Sequence, residues 1–305
     1  MTSYFLLKEL SPGIDPLGPD NKLVVAAGPF TGAPFSGSAR VGFGCKSPMT
    51  GAIGKSEVGG FFGTEMKLAG FDGLIVEGRV DRPVYLWLQD GRAEIREAGH
   101  LWGLSTLETE EAIRAETGER LARVASIGPA GERLVRFACI VHDLRDIVGR
   151  TGMGAVMGSK GLKAMAARGR GRVKFADPGT IQRLSRSMST RVDERAARYH
   201  HLGTGAAMDA YNLAGNLPTC NFREGRFGRA DEISAQAIRD RIRIGMEGCW
   251  ACAVRCKKAV RFDDPAPFNP RYGGPEYETL AALGSNCGIG DLKAISAGGT
   301  IAFAM

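Results

Sequence analysis

The alternation of apolar and polar positions in the first half of the chain predicts short strands separated by glycine turns. An apolar, β-branched run at residues 22–28 ends at Gly28-Pro29, which is typical of a buried strand followed by a turn. Residues 84–88 and 93–96 flank Asp90-Gly91, a pair that favours the tight turn of a β-hairpin. The pattern predicts three further strands, at 73–77, 123–127 and 136–142.

A longer periodicity predicts helices. One helix is expected at about 104–117, where Ser105 precedes Glu108 by three residues, the spacing of a capping box. A helix that starts at Asp177-Pro178 places three apolar residues on one face: Ile181, Leu184 and Met188. Further helices are predicted at 205–214, 232–246 and 275–283. The chain is therefore expected to be α+β, with a strand-rich domain at 1–172 and an α-helical domain at 173–305.

The composition is that of a globular protein. The chain has 305 residues, of which 44% are apolar and 24% charged, and this excludes a mainly disordered chain. Its 43 glycines are about twice the usual share, which indicates many tight turns or close backbone approaches. We find no apolar run that could span a bilayer, so we expect no membrane partner. Seven cysteines, three of them closely clustered, in a chain with no signal peptide suggest metal binding rather than disulfides, so we expect a cytoplasmic protein.

The net charge of +7 is spread along the chain, with one denser basic stretch at 168–174. A nucleic-acid-binding arm and a solvated interdomain linker are both possible interpretations. The linker is favoured because no aromatic side chains interleave with the charges, as base stacking would require. We therefore expect no nucleic-acid partner. The apolar residues 297–305 carry no helix stop, so we also expect the helical domain to be incomplete at its C-terminus.

Three closely spaced cysteines are the strongest chemical signal: Cys249, Cys252 and Cys256. Their spacings of three and four residues allow three thiolates to converge on one metal centre. Thiolates are soft ligands for iron, and three close cysteines with one remote cysteine suit a 4Fe-4S cluster. Zinc and three buried structural cysteines are the alternatives. The fourth ligand would be Cys287 or a residue beyond Met305, whereas the scattered Cys45, Cys139 and Cys220 are interpreted as core thiols.

A glycine-rich segment at 149–163 has the chemistry of an anion site, with backbone N–H groups beside Arg150, Lys160 and Lys163. It is neither a Walker A sequence nor a dinucleotide fingerprint. A glycine-rich turn before a packed helix is the alternative. Two further glycine loops, at 36–44 and 56–63, have the same character. Three such loops before the cysteines suggest a large anionic cofactor that is held by the backbone.

The order of these motifs resembles the aldehyde:ferredoxin oxidoreductase family of tungsten- or molybdenum-pterin enzymes. The match runs from about Tyr4 to Met305, and its most specific parts are Gly154-Ala-Val-Met-Gly-Ser-Lys160 and the cysteine triplet. The other segments that carry the resemblance are Ala26–Pro29, Lys46–Gly51, Gly59–Gly63, Lys67–Asp72, Ser126–Gly131 and Gly274–Thr279.

The resemblance implies a strand-rich domain of two β-sheets that forms the base for a tungsten- or molybdenum-bis-pterin cofactor. It implies that an aldehyde is oxidised to a carboxylic acid and that electrons pass through a 4Fe-4S cluster to ferredoxin or another electron-transfer protein. The implied pterin contacts are Arg40, Gly59, Gly60, Arg150, Thr151 and Gly152. The implied cluster ligands are Cys249, Cys252 and Cys256.

The resemblance also gives Glu278 a catalytic role, as a carboxylate near the metal that orients or deprotonates a water. Without it, Glu276 and Glu278 would be ordinary acids in the first turn of a helix. The chain departs from the family where Glu57 replaces an asparagine before the glycine pair, and where the first strands and a pterin-binding segment after Leu292 are missing. We therefore expect an N-terminal fragment, as a homodimer or with a complementary C-terminal chain. The alternative is a noncatalytic iron-sulfur subunit or a truncated remnant.

Overall fold

The computed structural model describes residues 1–264 and 267–295, and these residues form two compact units. The first unit comprises Met1–Arg183 and Cys249–Ala251. The second comprises Leu184–Gly248 and the described residues from Cys252 onward. The apolar segment 297–305, where we expected an incomplete helical domain, lies outside the described residues.

The first unit begins with a four-stranded antiparallel sheet in the order β3-β2-β1-β4. Its strands are β1 (Leu23–Ala27), β2 (Val41–Lys46), β3 (Ile53–Val58) and β4 (Gly73–Val76). All five residues of β1 are buried, as its continuous apolar sequence predicts for a central strand. Strand β3 lies at the edge and alternates exposed and buried positions, so that one of its faces is covered.

A second, six-stranded sheet follows, in the order β6-β5-β10-β7-β8-β9. Its strands are β5 (Val84–Gln89), β6 (Arg92–Glu97), β7 (Arg123–Ser126), β8 (Ile140–His142), β9 (Asp146–Val148) and β10 (Leu162–Arg168). Strand β10 lies between β5 and β7, parallel to the former and antiparallel to the latter. One buried core takes side chains from both sheets, among them Phe43 and Met165, and this joins the sheets into one layer system.

Residues 1–170 contain five α-helices: α1 (Thr2–Glu9), α2 (Phe62–Leu68), α3 (Thr106–Thr117), α4 (Pro129–Glu132) and α5 (Met153–Ser159). The predicted capping box of α3 is confirmed. Ser105 Oγ accepts from Glu108 N at 3.3 Å, and the Glu108 carboxylate accepts from Ser105 N at 2.8 Å. Gly118, in the left-handed region, ends this helix.

Helices dominate the rest of the chain: α6 (Pro178–Thr190), α7 (Val192–Leu202), α8 (Met208–Ala214), α9 (Ala235–Arg241) and α10 (Tyr277–Thr279), which continues as a π-helix over Leu280–Gly284. One hairpin interrupts them, formed by β11 (Arg243–Glu247) and β12 (Lys257–Val260). A separate core that includes Met208, Ile238 and Leu280 holds the second unit together. The α+β class, with two sheets followed by helices, is confirmed.

Three local predictions are wrong in part. The helix predicted at 232–246 ends at Arg241, because Ile242 leaves the helical region and the next residues pair with β12. The strand predicted at 136–142 starts only at Ile140. In α6, Ile181 is buried but Leu184 and Met188 are 42% and 41% exposed.

The first half of the basic stretch 168–174 packs against the rest of the first unit and does not form a free linker. Arg168 ends β10, where its guanidinium pairs with Glu65 at 3.1 Å, and Gly171 N donates to Leu68 O at 3.0 Å. Within the described residues, no helix is long and apolar enough to cross a bilayer.

Candidate functional site

A tight glycine loop follows β3. Gly60 has φ +89°, a conformation that favours glycine, and a Cβ there would lie 2.7 Å from the Asp146 carboxylate and 2.8 Å from the His142 ring. At Gly59 a Cβ would lie 2.6 Å from Cys249 Sγ. The two predicted cofactor residues therefore lie against other side chains of the first unit, and a Cβ at either position would force a neighbouring side chain to move.

Hydrogen bonds fix this loop on both sides. Phe61 N donates to Asp143 Oδ2 at 2.9 Å, and Trp250 N donates to Gly60 O at 3.1 Å. Within the described residues, Trp250 Nε1 is buried without a hydrogen-bond partner. An unpaired buried donor costs about 1–3 kcal/mol of folding free energy. This indole N–H is thus a polar group beside the loop whose hydrogen-bonding capacity is not used.

Arg40 lies beside this loop because Val41 pairs with Val58 in the β2–β3 ladder. Its guanidinium is exposed, and its Nη1 makes a weak contact with Glu57 O at 3.5 Å. Lys55 holds the Glu57 carboxylate at 2.6 Å, and this hydrogen bond lowers the pKa of Glu57. Arg40 therefore remains available to an anion.

An open cavity of about 480 Å³ adjoins Arg40 and the ends of β1 and β2. Lys67 crosses one side of it, where Nζ donates to Gly28 O at 3.0 Å and pairs with Asp72 at 3.2 Å. Three cations and two carboxylates line this cavity: Arg40, Lys55, Lys67, Glu57 and Asp72. The excess of positive charge suits a negatively charged group.

The second predicted cofactor segment, Arg150–Gly152, follows β9 and forms a strained turn. Thr151 and Gly152 have φ values of +65° and +73°. Ser47 Oγ donates to Thr151 O at 2.9 Å, and a Cβ on Gly54 would clash with the Thr151 side chain. The turn is thus packed against the start of β3, while the Arg150 side chain is exposed.

The two predicted cofactor segments lie at opposite ends of β3. Gly54, near the start of the strand, touches Thr151, whereas Gly59 and Gly60 follow its end. Six residues of extended chain span roughly 15–20 Å. The structure therefore brings Arg40 together with Gly59 and Gly60, and places the Arg150–Gly152 turn apart from them.

The predicted role of two lysines in anion binding is wrong. Lys160 is 3% exposed, and Nζ donates to the carbonyl oxygens of Pro19, Asn21 and Gly78. Burial lowers the pKa of Lys160 to about 8. Lys163 is also fully buried, and its Nζ pairs with the Glu132 carboxylate. Their charges satisfy internal acceptors and cannot meet a ligand from solvent.

The cysteine triplet lies in the connection between β11 and β12. An ideal Cβ built on Gly248 would lie 3.1 Å from Cys252 O, so the backbone packs closely at this glycine. Ala251 and Arg255 both have positive φ. In the second unit, burial raises the pKa of Cys256, as do the charges of Glu276 and Cys252. Cys249 contacts Gly59 in the first unit. Cys287 is exposed, and its thiol donates to Ala282 O at 3.2 Å.

The two glutamates after Pro275 have different surroundings. Glu276 accepts from Thr204 Oγ1, and its carboxylate lies 3.3 Å from Nζ of Lys258, which is 1% exposed. Glu278 is exposed and makes no hydrogen bond or ion pair within the described residues. Glu276 is therefore committed to the structure, whereas the Glu278 carboxylate is available.

Sequence reasoning missed a basic pocket of about 360 Å³ in the second unit. Arg243 Nη1 donates to His201 O at 2.5 Å, and Arg255 Nη2 donates to Met246 O at 2.7 Å. Neither guanidinium makes an ion pair within the part of the chain that the structure describes. Arg255 directly precedes Cys256. The sequence signal was weak because the lining residues come from α7, α9, β11 and the cysteine loop.

It also missed three buried side chains under the glycine loop: His142, Asp143 and Asp146. Although burial raises the pKa of Asp143, its hydrogen bond to His142 and the charges of His142 and Arg123 lower it to about 2. The only signal in the sequence is a histidine and an aspartate that flank the turn of a short hairpin.

Comparison with known proteins identifies the family of the chain. The family model for the aldehyde ferredoxin oxidoreductase N-terminal domain matches residues 1–169, and the model for domains 2 and 3 matches residues 183–305. The chain therefore belongs to the aldehyde ferredoxin oxidoreductase family, which is a family of oxidoreductases.

Individual relatives show how much of the family protein the chain represents. It is 40% identical to a tungsten-containing aldehyde ferredoxin oxidoreductase of Pyrococcus furiosus, over 99% of this chain and 52% of the relative. Identity to the enzyme of the same name from Thermococcus kodakarensis is 41%, with the same coverage. The chain thus spans about half the length of the curated relatives it matches.

A more distant relative has a different name. It is the WOR-like subunit of an aliphatic sulfonate oxidoreductase from Pyrococcus furiosus, 31% identical over 94% of this chain and 48% of the relative. Among solved structures, the active-site complex BamBC of benzoyl coenzyme A reductase with 1,5-dienoyl-CoA matches with a TM-score of 0.83. The identity is 28%, over 99% of this chain and 47% of that one.

Proposed function

We propose that this chain is part of an oxidoreductase that converts an aldehyde to a carboxylic acid at a tungsten- or molybdenum-bis-pterin centre. In this proposal two electrons leave through a 4Fe-4S cluster to ferredoxin or a similar protein. The observation that carries the proposal is the contact between Gly59, in the candidate cofactor loop, and Cys249, the first candidate cluster ligand. One short segment would thus connect both redox groups.

The residues present fit an anionic pterin cofactor. Arg40 is an exposed guanidinium with no carboxylate partner among the described residues, a good match for a phosphate oxygen pair. Trp250 Nε1, next to Gly60, is a buried donor that is unpaired in the same part of the chain. A cofactor with two pterins carries two separated phosphates, so a second site at Arg150, Thr151 and Gly152 suits it. When bound, the group would supply the two-electron oxidation of the substrate.

The chemistry of the cysteine loop supports an iron-sulfur cluster. Three thiols from one connection between β11 and β12 form a soft donor set: Cys249, Cys252 and Cys256. The fourth ligand would be Cys287 or a residue beyond Met305. Glu278 is proposed as the carboxylate that orients or deprotonates a water during turnover, because Glu276 is already paired with Lys258.

The electron partner is proposed to dock at the basic pocket of Arg243 and Arg255. Both guanidiniums lack an ion pair within the described residues, and Arg255 is the neighbour of Cys256 in the chain. A protein with an acidic surface would complement this pocket and associate faster at low salt. The boundary between pterin-binding and helical domains is proposed near residue 172.

Absorbance and metal content test the proposal. Chain purified without oxygen should be brown and contain iron together with tungsten or molybdenum. Cys252→Ser should remove most of the visible absorbance, because an alkoxide is a poor substitute for a thiolate. Cys220→Ser, outside the loop, should retain it. An unchanged spectrum in Cys252→Ser would exclude the cluster assignment. Iron without tungsten or molybdenum would favour the alternative, a noncatalytic iron-sulfur subunit or remnant.

A further inference from the structure

Three side chains that the proposed function does not use meet under the glycine loop: His142, Asp143 and Asp146. All three are buried, and each offers a ligand atom within 4.8 Å of the others'. His142 and Asp146 are cross-strand partners at the ends of β8 and β9, which places their side chains on the same face of the hairpin. Asp143 is the first residue of the connection between these strands.

The imidazole of His142 has an unused nitrogen. Its side chain is fully buried, and Nε2 has no hydrogen-bond partner within residues 1–264 and 267–295. The other nitrogen, Nδ1, lies 3.4 Å from Asp143 Oδ2. An ideal Cβ built on Gly60 would touch both the His142 ring carbon and the Asp146 carboxylate, so these two groups converge on one point. A buried imidazole with one unsatisfied nitrogen therefore shares one cluster of ligand atoms with two carboxylates, and a bound cation would satisfy this arrangement.

The distances suit a single ion. Metal–ligand bonds of about 2.0–2.2 Å place any two ligand atoms within roughly 4.4 Å of each other, so small side-chain rotations would complete the site. The carboxylate of Asp143 is oriented by its surroundings, since it accepts from Phe61 N at 2.9 Å and pairs with Arg123 at 3.4 Å. Such contacts around a ligand hold it in position for a metal.

We propose that His142, Asp143 and Asp146 bind one divalent cation of the Mn²⁺, Fe²⁺ or Zn²⁺ class. One nitrogen and two carboxylate oxygens are borderline and hard donors, which disfavour copper(I) and other thiolate-seeking ions. This site contains no cysteine and is distinct from the triplet. Because Gly60 rests on His142 and Asp146, the ion would stabilise the glycine loop from below. The inference does not depend on the proposed redox activity.

Mn²⁺ is the probe that tests this site, because a hard ion has little affinity for the thiolates of the cysteine loop. The electron paramagnetic resonance signal of free Mn²⁺ disappears as the ion binds, so titration of the full chain gives a stoichiometry and an affinity. We expect one Mn²⁺ per chain, and at least tenfold weaker binding in His142→Gln and Asp146→Asn. Bound Mn²⁺ should also raise the melting temperature of the wild-type chain more than that of Asp146→Asn.

A second His/Asp group gives the matched control. Asp193, His200 and His201 also lie within 4.8 Å of one another, but Asp193 and His201 are exposed. Asp193→Asn should leave Mn²⁺ binding unchanged. Absence of Mn²⁺ binding at millimolar concentration, equal binding in Asp146→Asn, or loss of binding in Asp193→Asn would each overturn the proposal.

A measurement on a chain with both aspartates of the site intact covers the case in which Asp146→Asn does not fold. The ¹⁴N hyperfine coupling of bound Mn²⁺, recorded in the Asp193→Asn chain, should show one imidazole nitrogen. A spectrum without nitrogen coupling would equally overturn the proposal. An unchanged visible spectrum in Cys252→Ser would refute the cluster but leave this site unaffected, so the two failures are distinguishable.

Discussion

Gly60 combines two constraints that usually occur separately. Its φ of +89° costs a side-chain-bearing residue about 1–2 kcal/mol, and the space where a Cβ would stand is filled by His142 and Asp146. Gly37 has the same φ of +89° but nothing within 4 Å of its Cβ position. Comparison of Gly60 with Gly37 therefore distinguishes the cost of backbone strain from the cost of steric overlap.

We predict that Gly60→Ala lowers the stability of the chain by about 2–4 kcal/mol, since overpacking adds to the backbone cost. Gly37→Ala should cost only about 1 kcal/mol. Thermal unfolding, compared at one protein concentration, measures the difference as a shift of several degrees. Equal losses in the two variants would mean that the loop can move away from the hairpin that carries His142 and Asp146.

At the scale of elements, Lys160 connects parts of the first unit that are far apart in the chain. It follows α5, and its Nζ donates to carbonyl groups before β1 and after β4. Burial lowers the pKa of Lys160 to about 8 from 10.5. Between these two pH values the unfolded chain still binds the proton that the folded chain has lost, so stability rises with pH in this window.

We predict that the wild-type chain gains on the order of 1–3 kcal/mol relative to Lys160→Met between pH 8 and pH 10.5. Melting temperatures measured across this range give the comparison. Lys174→Met, at an exposed lysine, is the control and should track the wild type. If Lys160→Met and the wild type change in parallel, the buried ammonium does not release its proton in this range.

Local signals predicted the elements that local sequence determines. The hairpin of β5 and β6 and the cap of α3 follow from Asp90-Gly91 and Ser105 with Glu108. Strand β10 was not predicted, because its small residues are buried only through pairing with β5 and β7. The residues of β11 read as helix for the same reason: their pairing with β12 lies across the cysteine loop.

The residues of the candidate site also fall into two groups, those that local sequence reveals and those that it does not. Glycine loops and clustered cysteines are visible as short motifs, so Gly59, Gly60 and the triplet could be named from the sequence. The groups behind the loop could not, since His142 and Asp146 meet Gly60 only through the contact of β3 with β9. Lys160 and Lys163 were misread because charge alone does not reveal burial.

For the whole molecule, the basic pocket allows a test of binding to an electron-transfer partner. We predict that a chain carrying both Arg243→Glu and Arg255→Glu binds an acidic ferredoxin at least tenfold more weakly at low salt, because like charges then face each other. Calorimetry on the anaerobic chain measures the affinity.

The control is a chain that carries both Arg223→Glu and Arg229→Glu, at two exposed arginines of the second unit that do not line the pocket. This double variant has the same change in net charge and should alter the affinity less than threefold. A similar loss in both double variants would assign the attraction to net charge and would remove the pocket from the proposal.

The position of β10 has a consequence for how the protein is made on the ribosome. Strands β5 and β7 are not neighbours in their sheet until β10 is inserted between them, and β10 is the last of the six to be synthesised. Until residue 168 has left the exit tunnel, the nascent chain exposes two incomplete β-segments with open edges. Such edges recruit other chains, so this interval is when a chaperone that holds nascent chains would protect the protein most.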